Sequence, residues 1–330
     1  MSKYLIMGAG GFVASYLIPL LLENNEEVYG MVRWNEDLSR MEKYKDKIEI
    51  IYADQLDLSS LIRGIMKCKP DVISFLSAQS WVSYSFDVPI NTIETNGIGC
   101  VNLFEAIRII RDYIDKNYNP LVHICSSSEV YGKVDKNKLP ITEEHPMNPG
   151  NQYGVGKVLA DQTAQFYAKY YGFRVLITRM FTHTGIGRTM MSAENYYARE
   201  VALIETGKKE PHIEIGDKKA MQSLRTWADV RDAVKNYYTL FKNGMTGIYN
   251  ISGETTKTIQ EVLDYLISIS ELKNISNLTM SINPKFIRKI NVDKQIVDIS
   301  KYKNENEWSN EIRFEELMQS LLDSWRQKCQ

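Results

Sequence analysis

Cysteine and histidine are scarce in this chain, four of each in 330 residues, and neither set is spaced to hold a metal or a disulfide framework. Cys68, Cys100, Cys125 and Cys329 form no short pair, so reduced thiols in a cytoplasm are expected. His123, His145, His183 and His212 form no paired ligand spacing, and no metal is expected. No apolar run approaches the ~18 residues of a membrane helix. Met1-Ser2-Lys3 enters a strand pattern directly instead of a signal peptide. A net charge of −1 lacks the basic excess that would suggest nucleic acid or an anionic membrane as partner. Repeats and low-complexity segments are also missing. What is left is a soluble, enzyme-sized chain, 44% hydrophobic and long enough to bury a large core.

Three local patterns carry chemistry. The first opens the chain: the buried-strand pattern Lys3 to Met7 runs into Gly8-Ala9-Gly10-Gly11-Phe12-Val13-Ala14 and then a helix. Gly8 and Gly11 let the backbone turn tightly and approach a pyrophosphate, Ala14 lets the helix pack on the sheet, and the helix N-terminus attracts phosphate. The second is the apolar strand Leu121 to Ile124, which ends in Cys125-Ser126-Ser127-Ser128-Glu129-Val130-Tyr131-Gly132. Strand ends of an open α/β sheet face the active-site crevice, which makes these hydroxyls candidates to bind a substrate oxygen. The third is Tyr153-Gly154-Val155-Gly156-Lys157, which a helix sets one turn apart on one face as a proton-transfer pair. A nearby cation favours the phenolate and brings a tyrosine toward neutral pH.

Apolar strands near 3–8, 26–32, 48–53, 71–76, 120–125 and 173–179 alternate with helical patterns near 14–24, 58–68, 95–115 and 150–171. That alternation predicts an α/β fold, a Rossmann doubly wound parallel sheet. After Arg179 the pattern breaks, with a helix near 192–207 and a short strand at 212–215, and returns to the sheet at 247–251. The expected division is a dinucleotide-binding domain of 1–180 plus 228–252 and a smaller interleaved domain of 181–227 plus 253–330.

On these residues the chain resembles the extended short-chain dehydrogenases/reductases acting on nucleotide sugars, from Lys3 to about Arg326. Within that family it is similar to the GDP-mannose 4,6-dehydratases and GDP-6-deoxy-4-ketomannose reductases. The phrases Ala78-Gln79-Ser80-Trp81-Val82, Ser126 to Gly132, Phe181-Thr182-His183-Thr184-Gly185 and Asp229-Val230-Arg231-Asp232 carry that likeness, and the tail Phe314 to Arg326 resembles the reductases. The resemblance implies catalytic roles for Ser127, Tyr153 and Lys157, with Glu129 as a carboxylate that dehydratases use to remove a proton α to a C4 ketone. It implies a nicotinamide dinucleotide, NAD or NADP, held by Gly8, Gly11, Phe12, Val13, Arg33, Asp54, Gln55, Ser77, Ala78, Gln79, Tyr153 and Lys157. Arg33 follows a strand that lacks the acidic ribose partner, which leans to NADP. The resemblance implies a nucleotide sugar, GDP-linked as in the GDP-sugar enzymes that share these motifs, which would meet Ser80, Trp81, Ser128, Thr182, Arg188, Arg225 and Arg288.

Departures from the family pattern point to a changed substrate or direction. Thr182 replaces an Asn, Ile186 stands where a Pro is common, and Arg288-Lys289-Ile290-Asn291 stands where relatives carry R-P-x-E. Ser128 is not the second carboxylate of the dTDP-glucose type dehydratases. The expected activity is hydride transfer at C4 of a nucleotide sugar in surface polysaccharide precursor synthesis, with a GDP-4-keto-sugar reductase leading. A GDP-sugar (mannose or heptose) 4,6-dehydratase, a 4-oxidase or 4-epimerase with tightly bound NAD, and a catalytically silent dinucleotide sensor or scaffold stay open. The family pairs the helices near 95–115 and 150–171 across a two-fold axis, so a homodimer or dimer of dimers is expected through Leu103, Phe104, Ile107, Phe166 and Tyr170.

Overall fold

The computed structural model describes residues 1–287 and 293–330. Its first half is a regular succession: β1 (Lys3–Met7), α1 (Ala14–Glu23), β2 (Glu27–Val32), β3 (Glu49–Tyr52), α2 (Leu58–Cys68) and β4 (Val72–Phe75), then α3 (Pro89–Ile93), α4 (Gly99–Tyr113), β5 (Leu121–Ser127), α5 (Gln152–Tyr171) and β6 (Arg174–Met180). The second half holds β7 (His183–Thr184), α6 (Ala193–Glu205), β8 (His212–Ile215), α7 (Lys218–Met221), β9 (Leu224–Asp229), α8 (Val230–Lys242) and β10 (Gly247–Ile251). It ends with β11 (Thr255–Thr258), α9 (Ile259–Ser268), β12 (Thr279–Ile282), β13 (Lys294–Gln295), α10 (Ser300–Glu305) and α11 (Phe314–Cys329).

Seven strands form one parallel sheet in the order β3-β2-β1-β4-β5-β6-β10. Its strands read as near-continuous apolar runs because both faces are covered. In β1 the period-two alternation sends Tyr4 and Ile6 to the core shared with α1 and α8, and Leu5 and Met7 to the core shared with α2, α4 and α5. The order reverses between β1 and β4, so a crevice opens at their carboxyl ends, where ligands bind in such sheets. The helix expected from residue 95 begins earlier, at Pro89, and a π-helical turn at Glu94–Ile98 links α3 to α4. Leu103, Phe104 and Ile107 are fully buried against the sheet, which corrects their assignment to a subunit contact.

Beyond Met180 the chain builds smaller sheets. β9 lies between β11, antiparallel, and β13, parallel, and also pairs with β7, while β8 pairs with β12. A third core, including Tyr197, Val201, Trp227, Leu266 and Phe314, packs α6, α9 and α11 together. These short strands lack the long apolar runs of the main sheet.

Behind β5 lies a buried ion pair. Arg179 Nε and Nη2 donate to Asp161 Oδ2 and Oδ1 at 2.9 and 3.1 Å, and both residues are almost wholly buried. Ser126 Oγ at 2.8 Å and Gln165 Nε2 at 2.7 Å also donate to this carboxylate. The remaining guanidinium nitrogen donates to the Tyr131 hydroxyl at 3.0 Å and the Glu143 carbonyl at 2.8 Å. Asp161→Ala would leave the Arg179 charge buried and unpaired, at a cost of roughly 3–5 kcal/mol. Denaturant unfolding should show that loss, and Arg179→Met added to Asp161→Ala should recover part of it. An Asp161→Ala protein as stable as wild type would remove the pair from the fold's energetics.

Candidate active site

The turn after β1 is shaped by what its glycines leave out. Gly8 adopts φ +78°, a left-handed conformation that disfavours side chains, and a Cβ there would sit 2.9 Å from the Ser77 backbone at the end of β4. A Cβ on Gly11 would meet the Gly8 carbonyl at 3.0 Å, and that carbonyl accepts the Gly11 N–H at 2.9 Å. No side chain caps α1 at its N-cap residue Val13, so the N–H groups of its first turn keep no side-chain acceptor. A tight loop at the sheet's crevice followed by an uncapped helix start is an anion cradle, and its bare backbone fits a dinucleotide pyrophosphate.

Across the crevice, β5 and α5 bring the predicted triad together. Ser127 and Lys157 are buried, and Tyr153 is partly buried. Lys157 Nζ donates to the Cys125 carbonyl at 2.7 Å and lies 5.9 Å from the centre of the Tyr153 ring. Burial pushes the Tyr153 phenol above the usual tyrosine range, and a hydrogen bond with Ser127 pulls it back. Among its charged neighbours, Glu129 raises it further and Arg188 lowers it. Burial also lowers Lys157 from the ordinary lysine value.

Two glycines between Tyr153 and Lys157 make this approach possible. A Cβ on Gly154 would lie 2.8 Å from the Glu129 carbonyl, and one on Gly156 would lie 2.9 Å from the Asn96 Cβ. The helix bearing the pair is thus pressed against the turn after β5 on one side and against the π-helical turn on the other. Asn151 starts that helix: its Oδ1 accepts the Gly154 N–H at 2.8 Å. Its Nδ2 donates to Glu129 Oε2 at 2.7 Å, and Gln295 Nε2 donates to Glu129 Oε1 at 3.3 Å.

The other predicted residues divide by what their side chains meet. Ser77 packs against Gly8, with Ala78 next to it. Gln79 is tied to Asn96 by two bonds, backbone N–H to Oδ1 at 2.8 Å and Nδ2 to the Gln79 carbonyl at 3.0 Å. Ser80 and Trp81 are exposed, and Ser128 is buried beside Ser127. Asp54 is exposed and accepts the Leu56 N–H at 2.8 Å, whereas Gln55 is buried, with its amide donating to the Thr95 carbonyl at 2.6 Å and its side chain against Gly99. The Gln55 side chain therefore faces the helix layer. Arg33 is exposed, with Nε 3.3 Å from Glu36.

Thr182 gives its carbonyl to the Ala228 N–H at 2.9 Å. β7 and the loop after it meet the glycine turn and α1: Phe12 stacks on His183, and Tyr16 donates to the Ile186 carbonyl at 2.7 Å. Burial and the Arg188 charge push His183 down to about 3, so its imidazole is neutral. Arg188 Nε lies 3.8 Å from Glu194, and its Nη1 is buried with no hydrogen-bond partner. Arg225 Nη1 donates to the Leu224 carbonyl at 2.8 Å. Arg288 lies outside the described residues.

Asn96, Asn151 and Gln295 were missed at the level of sequence. The N-cap position of Asn151 was a readable signal; Asn96 and Gln295 reach the site only through a π-helical turn and a two-residue strand.

The model of the family described as GDP-mannose 4,6 dehydratase matches residues 5–321. The chain belongs to that family. Its members are extended short-chain dehydrogenases/reductases, NAD(P)-dependent enzymes. The chain is 26% identical over 260 residues to a GDP-6-deoxy-D-mannose reductase of Pseudomonas aeruginosa, covering 78% of this chain and 81% of the relative. It is 27% identical over 356 residues to a GDP-mannose 4,6-dehydratase of Yersinia enterocolitica, covering 98% and 93%. Among solved structures, the enzyme RMD from Pseudomonas aeruginosa complexed with NADPH matches with a TM-score of 0.82 at 23% identity, covering 99% of this chain and 100% of that one. A dTDP-glucose 4,6-dehydratase from Bacillus anthracis in complex with NAD matches with a TM-score of 0.80 at 22% identity, over the whole of both chains. These structures establish the doubly wound fold.

For this family member, Tyr153→Phe keeps the ring and deletes the hydroxyl that bonds Ser127. Turnover should fall by roughly 10²–10⁴ with dinucleotide affinity largely kept. Wild-type turnover in the variant would take Tyr153 out of the proton transfer.

Proposed function

We propose that the protein is a cytoplasmic NAD(P)-dependent oxidoreductase acting at C4 of a GDP-linked sugar, in the supply of surface polysaccharide precursors, with 4-keto-sugar reduction as its leading reaction. The observation that carries this is the convergence of Ser127, Tyr153 and Lys157 on the crevice that the glycine turn opens. Residues 1–180 plus 228–252 would form the dinucleotide-binding domain, and 181–227 plus 253–330 the sugar-nucleotide domain.

When bound, the nicotinamide supplies or accepts hydride. The chain's own residues do the rest. The glycine turn and the start of α1 would seat the pyrophosphate, and Lys157, fixed by the Cys125 carbonyl, would hold the ribose. Tyr153, kept protonated by burial, is set to donate its proton to the C4 oxygen while Ser127 bonds that oxygen. At the adenosine end, Arg33 faces Glu36, whose side chain lies against Gly10. A carboxylate and a cation thus stand together there, so Arg33 alone does not favour a 2′-phosphate, and both NAD and NADP fit.

Glu129 keeps the 4,6-dehydratase as a second reading, because its carboxylate stands at the turn that follows Ser127. Incubation with a panel of GDP-sugars, followed by nicotinamide absorbance and mass spectrometry of the sugar, tests both. In a reductase, Glu129→Gln should keep hydride transfer within about tenfold, whereas a dehydratase should lose far more. Solvent deuterium at C5 or C6 of the product, lost in Glu129→Gln, would defeat the reductase reading. Failure of every GDP-sugar to change the absorbance would revive a silent sensor.

Assembly is proposed through α5. Val155 (38% exposed), Phe166 (49%) and Tyr170 (64%) line its outer face, opposite the buried Ala160, Ala164 and Tyr167. A stripe of this kind along one helix suits burial against a second copy. Light scattering should give a dimer or a dimer of dimers of the 38.1 kDa chain, and Phe166→Glu should dissociate it. A monomeric wild type at micromolar concentration would reject this interface.

A further inference from the structure

Gln295, on the two-residue strand β13, carries a buried amide. It is 2% exposed, and a buried amide is costly unless it is hydrogen-bonded. Its Nε2 donates to Glu129 Oε1 at 3.3 Å, while Asn151 Nδ2 donates to the other oxygen at 2.7 Å. Both oxygens of the carboxylate are therefore met by amides, and the amides come from separate elements.

The backbone around each amide is fixed. Gln295 stands opposite Arg225 in the β13–β9 register, and its carbonyl accepts the Thr226 hydroxyl at 3.2 Å. The next residues pair with the segment between β5 and α5: Ile141 N–H donates to the Ile296 carbonyl, and Asp298 N–H to the Ile141 carbonyl, both at 2.8 Å. Asn151 is held by its own capping bond to Gly154. Glu129 is joined to the catalytic hydroxyl by its N–H, which donates to Ser127 Oγ at 3.2 Å.

We propose that Gln295 is a positioning residue for the reaction: with Asn151 it fixes the Glu129 carboxylate beside Ser127 and Tyr153, tying β13 to the catalytic turn. A carboxylate gripped on both oxygens keeps one orientation, which a side chain with several rotatable bonds does not keep unaided. Its charge then acts on Tyr153 from a constant place. This rests on the C4 chemistry proposed above.

The test combines Gln295→Leu, Gln295→Asn, Glu129→Ala and the pair Glu129→Ala/Gln295→Leu, each as full-length protein with dinucleotide bound. Gln295→Leu should lower Tm by about 3 °C, and in the Glu129→Ala background the same change should cost less than about half of that. Its kcat on the GDP-sugar found above should fall about fivefold, with the sugar KM and the dinucleotide Kd held within about twofold. Gln295→Asn, one methylene too short to reach, should behave alike; unchanged dinucleotide affinity shows that each variant is folded. An equal loss of Tm with and without Glu129, or a lowered Tm with unchanged kcat, overturns the proposal. Wild-type protein that turns over no GDP-sugar while the Tm coupling persists overturns the substrate reading instead, and supports the Gln295–Glu129 bond.

Discussion

The catalytic side of this protein depends on the buried pairing of Asp161 with Arg179. Asp161 lies one turn after Lys157 on α5, Arg179 lies on β6, and Ser126, next to Ser127, donates to the same carboxylate. The one carboxylate thus ties the helix that carries Tyr153 and Lys157 to β6 through Arg179 and to the strand that carries Ser127 through Ser126. Burying two charges is costly, and the pair persists because its hydrogen-bonding groups are met by Gln165, Tyr131 and the Glu143 carbonyl. The Tyr131 hydroxyl passes the network on to Asn250 on β10 at 2.7 Å, so the last strand of the sheet joins it too.

Close approach is the second constraint. The glycine turn, Gly154 and Gly156 each remove a Cβ that would collide with a neighbouring strand end or turn. Each thereby lets the backbone on either side close in. Around that crevice the interior holds its imidazoles neutral: His123, between Ser74 and Thr178, is pushed down to about 3 by burial and the Lys157 charge. The Tyr153 phenol, raised by burial, stands between a carboxylate and a guanidinium of opposite effect.

Much of this was legible in the chain because it is written in short-range patterns. The strand from Lys3, the glycines at 8 and 11, the hydroxyls after Ile124 and the Tyr-x-x-x-Lys spacing are local, and the parallel sheet follows from long apolar runs separated by helical periods. The strands at 212–215 and 247–251 were read to the residue. Apolar patterning could not separate sheet-facing from outward-facing positions on paired helices: Leu103, Phe104 and Ile107 proved to be core, while Phe166 and Tyr170 stay exposed.

The sequence by itself determined the fold class, and it marked the glycine turn after β1 and the Tyr153–Lys157 spacing on α5, since each is written in a short-range pattern. Tertiary structure alone decided which groups surround them. Asn96 enters through a π-helical turn, Gln295 arrives from a two-residue strand far along the chain, and Gln55 is drawn into the helix layer. Contacts between residues so distant in sequence are set by how the elements pack, and no local period records them.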